Sequence, residues 1–116
     1  MNNVAYELDD NENIYLFHQK VYSKPFRLVI TKLPNLDFVG IDGETIGRLE
    51  IIGVDYTGNR VRVTVWRKLA EKLFDILHAG DTILVKNWTG GRKDENGRWN
   101  ISSSDVSLVN RVIPEM

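Results

Sequence analysis

From Phe26 onward, apolar and polar positions alternate with the period of a β-strand. Phe26, Leu28 and Ile30 alternate with Arg27, Val29 and Thr31, which predicts a first strand. Ile46 to Val54 predicts a second, with Leu49 and Ile51 on one face. Asp55-Tyr56-Thr57-Gly58-Asn59 reads as a hairpin turn, Gly58 suiting a positive φ. Arg60 to Trp66 alternates without a fault and predicts a third strand. Val61, Val63 and Val65 share one side; Arg60, Arg62, Thr64 and Trp66 share the other. The period then changes. Leu69, Leu73, Ile76 and Leu77 recur at helical spacing, predicting a helix over 68–77 that Ala79-Gly80-Asp81 ends. Thr82 to Trp88 predicts a fourth strand, with Ile83 and Val85 inward, and Trp99 to Val109 a fifth, bent around Ser102-Ser103-Ser104. Pro34 to Gly43 and Thr89 to Gly97, rich in glycine and charge, read as loops.

Three strands, a helix, then two strands is the layout of the five-stranded OB-fold barrel, an all-β architecture whose helix plugs one end. The domain is expected over 26–116, behind an acidic lead-in over 1–25 with an apolar run, Ile14 to Phe17, expected as a short strand or turn. Lys24-Pro25 closes the lead-in, because the residue before proline is pushed out of helical geometry. Asp9-x-Asn11-x-Asn13 resembles the start of a calcium loop but lacks the glycine and the final glutamate, so no metal is expected.

Composition narrows the function classes. The 116 residues suit one domain, and the absence of cysteine excludes disulfides, zinc fingers and a thiol nucleophile. No apolar run approaches the ~20 residues of a membrane helix, so no membrane partner is expected and the protein reads as intracellular. The net charge of −1 is unevenly spread. Glu7, Asp9, Asp10 and Glu12 oppose Lys20 in the first twenty residues; residues 60–98 carry nine basic side chains against five acidic ones. A bulk field that recruits nucleic acid is absent, but a local basic zone is present. His18 and His78 lie far apart, and a helix end explains His78. With no phosphate loop or nucleophile elbow either, neither an enzyme nor a small-molecule substrate or cofactor is expected.

The third strand carries the sharpest signal. Its valines mark the core side, so Arg62, Thr64 and Trp66 face solvent or a ligand. An indole on a polar face makes sense where a nucleic-acid base stacks on it, worth roughly 1–3 kcal/mol. The competing reading packs Trp66 beneath a loop or at the barrel rim. Trp88 and Trp99 bracket a glycine-flexible stretch bearing Arg92, Lys93 and Arg98, which can close over a single strand. Trp99 shares the parity of Ile101, so without a bulge it points inward; either tryptophan can instead belong to the core.

The stretch ETIGRLEIIGVDYTGNRVRVTVW (Glu44 to Trp66) resembles the second and third strands of the single-stranded-DNA-binding domains of the replication protein A large subunit. GDTILVKN (Gly80 to Asn87) is similar to that family's fourth strand, and ISSSDVSLVNRVIPEM to the serine-rich fifth strand of its second central domain. The resemblance implies an OB-fold that binds single-stranded DNA with low sequence specificity in replication, repair and recombination. It places Trp66 as a base-stacking platform, with Trp99 or Trp88 as a second. It assigns backbone contacts to Arg48, Arg62, Lys86, Arg92 and Lys93. The strand is expected to cross strands two and three, clasped by the one–two and four–five loops, although the one–two loop is acidic here (Asp37, Asp42, Glu44). About four phosphate contacts imply a log–log salt slope near −3. Sister subunits of a replication protein A-like complex are implied as partners, with the nucleus as the location in a eukaryote and the cytoplasm or nucleoid in an archaeon. Two alternatives stay open: a protein-interaction module on the same fold, and a telomeric-overhang binder.

Overall fold

The computed structural model describes residues 24–111. The expected lead-in up to Ser23, with its calcium-like motif and His18, lies outside the described residues, as do residues 112–116 of the tail. The elements are β1 (Phe26–Ile30), β2 (Asn35–Ile41), β3 (Glu44–Val54), β4 (Arg60–Trp66), α1 (Arg67–Ile76), β5 (Thr82–Lys93) and β6 (Trp99–Asn110). They form one sheet in the order β1-β5-β6-β4-β3-β2, and a β1–β3 pairing closes it into a ring. All pairings are antiparallel except β4–β6.

β1 and β2 pair with successive parts of β3, Val29 opposite Val54 and Asn35 opposite Glu50. They are two halves of one long strand, interrupted at 31–34. Counted so, the molecule is a five-stranded OB-fold barrel with its helix between the third and fourth barrel strands, as the element order implies.

The loop expected over 34–43 is instead β2 and a two-residue turn. Pro34 falls in the break, where its missing N–H costs no ladder bond. Asp42 and Gly43 take positive φ of 52° and 81°, as a tight hairpin with strand-matched twist requires. The acidic Asp37 is tolerated inside the strand because Arg48 stands directly opposite.

Alternation does the packing. Phe26, Leu28, Ile30, Leu49, Ile51, Val61, Val63, Val65, Ile83, Val85 and Ile101 fill the barrel. α1 closes one end with Ala70 and Leu73, and Leu77 follows them inward. Ile76, expected on that stripe, is exposed, and Ala70 takes the inward place. The helix stops at an extended Leu77 whose N–H donates to the Leu73 carbonyl. Gly80 acts later than expected: with φ of 94° it shapes the turn into β5 and donates to the Ile30 carbonyl. The cation at the helix end is Arg111, not His78. Its guanidinium donates to the Ile76 carbonyl and to both oxygens of the buried Asp81. That ion pair, with the His78 backbone N–H, holds the Asp81 carboxyl below its ordinary range.

β5 and β6 turn a corner together. Val85 and Trp88 are both buried, so the inward parity of β5 shifts by one residue across Lys86 and Asn87. Asn87 absorbs the shift with φ of 47°, a conformation asparagine tolerates better than most residues. Opposite it, Ser103 donates to the Lys86 carbonyl and accepts from the Asp105 N–H. The bend expected at Ser102–Ser104 is this corner.

Candidate functional site

Three strands of the barrel present a continuous polar outer face, and β2 and the far half of β5 extend it. β4 sets it: three fully buried valines on one side force Arg62, Thr64 and Trp66 to the other, where all three are half-buried. The register then aligns neighbours in rows. The first row is Asp37, Arg48 and Trp66. The second is Asn35, Glu50, Thr64, Ser102 and Thr89. The third is Ile52, Arg62, Asn100 and Arg92. Thr64, Thr89, Gly90, Asn100, Ile101 and Ser102 line a shallow depression of about 180 Å³ in the middle of this face.

Two hairpin ends bound the face. At one lies the Asp42-Gly43 turn. At the other lie two turns of identical construction, Asp55 to Asn59 and Asp94 to Arg98. In each, the aspartate N–H donates to the carbonyl four residues on, and the glycine N–H donates back to the aspartate carbonyl. In each, the aspartate carboxylate also accepts from the N–H groups two and four residues on. The Arg98 N–H, then the Asn100 side chain, lower the Asp94 pKa. Arg60 joins the two turns by donating to the Asn96 carbonyl.

The stretch expected as an exposed loop over 89–97 is thus mostly strand: β5 runs to Lys93 and only five residues turn. Gly90 and Gly91 lie within it at a register shift and take φ of 90° and 124°.

The expected contact residues divide. Trp66, Thr64, Arg62, Arg48 and Arg92 share the outer face. Trp88 and Trp99 do not: they are 3% and 2% exposed and belong to the core. Trp88 packs edge-on against Phe26 at 5.7 Å, and its indole N–H donates to the Lys24 carbonyl at 2.7 Å. Parity explains Trp99, which points inward with Ile101 because β6 is regular there. Lys93 covers its ring, the ammonium 5.4 Å from the centroid, and so is a packing cation. Lys86 stands opposite Asp105, beyond the Asn87 corner and off the three rows. Arg98 is the half-buried last residue of the Asp94 turn. Arg48 is on the face but engaged: it grips Asp37 with both ends of its guanidinium, at 3.1 and 2.6 Å. That grip lowers the Asp37 pKa and raises that of Arg48.

Four residues of the face are not among the expected contacts: Glu50, Thr89, Asn100 and Ser102, although the parity of Leu49 and Ile51 already turns Glu50 outward. Only the parallel β4–β6 pairing brings Asn100 and Ser102 beside Arg62 and Thr64. An assumed OB topology was the one signal available for them.

No protein-family model matches the sequence, and no curated protein does. Among solved structures, the chain is similar to the SSB domain of a protein from Synechococcus sp., with a TM-score of 0.59 and 16% identity, over 74% of this chain and 93% of that one. That likeness is one of fold, and it agrees with the barrel topology.

Proposed function

We propose that this domain binds single-stranded DNA across the outer face of β3, β4 and β6. The observation that carries the reading is Trp66. It is only partly buried at the end of a polar strand face, backed by three fully buried valines. Burial alone does not call for an indole there, and a stacked base supplies its missing apolar cover. Arg62 and Arg92 stand in a row four residues along β4 from Trp66 and offer charge to the sugar–phosphate backbone. The solved neighbour is described as an SSB domain, the abbreviation for single-stranded-DNA-binding, which supports the same reading. Replication protein A-like subunits as partners, and a role in replication, repair or recombination, are the finer form of this proposal. They rest on the sequence resemblance.

The test is fluorescence anisotropy with a labelled oligo-thymidine. Trp66→Ala is expected to weaken binding by about 1–3 kcal/mol while the circular dichroism spectrum is retained. Unchanged affinity in a folded variant would remove Trp66 as the platform.

A protein-interaction module is favoured by a different observation. β2 is an edge strand, and its Phe38 and Ile41 are 58% and 42% exposed. Its one charge, Asp37, is neutralised by Arg48, so this edge lacks the free charges that usually guard such strands. Absence of binding to any oligonucleotide would turn the assignment to this reading.

A further inference from the structure

Glu50 is a carboxylate in the middle row of a face read as binding a polyanion. It is half-buried on β3, directly opposite Thr64, with Asn35 on its other side. Among the described residues no hydrogen bond or ion pair engages it. Asp37, the other carboxylate on the face, has both oxygens occupied by Arg48. Glu50 is therefore the carboxylate of these rows with its acceptors open. A phosphate placed beside it would be repelled. The cations not held by a carboxylate, Arg62 and Arg92, lie in the row on one side, while Arg48 in the row on the other side is held by Asp37. This arrangement suits backbone along the cations and base edges over the middle.

Alternate residues on a strand are about 6.7 Å apart, roughly the width of a base. A ring stacked on Trp66 thus brings its hydrogen-bonding edge over Glu50 and Thr64. The four bases differ in what they offer there. Guanine presents two parallel donors, N1–H and N2–H, which match the two oxygens of a carboxylate. Cytosine and adenine present one amino group. Thymine presents a single N–H between two carbonyl oxygens, which a carboxylate repels. Thr64, Ser102 and Asn100 around the adjoining depression can both donate and accept, so they do not reverse this order.

We propose that Glu50 reads the base beside Trp66 and gives this domain a preference for guanine over thymine. The proposal rests on the single-stranded-DNA reading of the same face and replaces its low sequence specificity at one subsite.

The experiment compares a labelled oligo-thymidine with two relatives, measured in lithium buffer to suppress guanine quadruplexes. In one, every third thymidine is deoxyguanosine; in the other, those positions are deoxyinosine, which lacks the N2 amino group. The guanosine oligomer is expected to bind about tenfold more tightly than oligo-thymidine. Inosine is expected to lose most of that gain, and Glu50→Gln to abolish the preference while tightening oligo-thymidine binding. Equal affinity for all three oligomers would overturn the proposal and leave DNA binding intact. A guanine preference that survives Glu50→Gln would also overturn it, since another group would be the reader. Binding of none of the three would overturn the single-stranded-DNA reading itself, and this proposal with it.

Discussion

The indole of Trp66 ends β4 on the outer surface, while those of Trp88 and Trp99 fill the interior. Substitution should separate these roles. Trp88→Ala removes a buried ring and the bond that anchors Lys24, so thermal unfolding should reveal a loss of about 3–5 kcal/mol. Trp66 was legible because three valines fix the parity of its strand. Trp88 was not, because Asn87 shifts the inward parity of β5 in a way that no alternation count reveals. Asp81 acts at the same scale. Its folded pKa lies below the ordinary 3.8, so its ion pair with Arg111 stabilises the fold above that value. The contribution is lost as pH falls from about 4 through the folded pKa. Acid titrations followed by circular dichroism should show Asp81→Asn already less stable at neutral pH, with a shallower further loss on acidification.

Among the elements, the β1–β3 contact decides whether the barrel closes. Gly53 makes it possible, because a Cβ there would overlap the Val29 carbonyl oxygen and lie 2.8 Å from Leu28 Cγ. Gly53→Ala should therefore cost roughly 1–3 kcal/mol in chemical denaturation, despite alanine's better strand entropy. Strand alternation and the helical period were readable because each element buries one face. β2 reads as a loop in the sequence because proline, glycine and acids are loop residues on average. Its Asp-Gly turn and the Asp37–Arg48 pair make a hairpin of them. The 89–97 stretch reads as a loop for the same reason, although its glycines sit at a register shift inside a strand.

For the whole molecule, charge location matters more than charge total. Six basic residues, Arg48, Arg62, Lys86, Arg92, Lys93 and Arg98, are the candidates for the expected phosphate contacts, about four in number. The structure turns Lys93 to Trp99, sets Lys86 beyond the corner, and engages Arg48 with Asp37. Arg62, Arg92 and Arg98 remain, so log affinity against log salt should fall with a slope of about −2 rather than −3. The central claim is that DNA lies on the β3–β4–β6 face with a base on Trp66. Its most direct test follows the three tryptophan indole N–H signals by ¹H–¹⁵N NMR during titration with oligo-thymidine. The account predicts that the Trp66 signal shifts together with the amides of Arg62, Thr64, Asn100 and Ser102, while those of Trp88 and Trp99 stay nearly still. A titration in which Trp66 holds its position, or in which the shifts gather on the β2 edge instead, would contradict it.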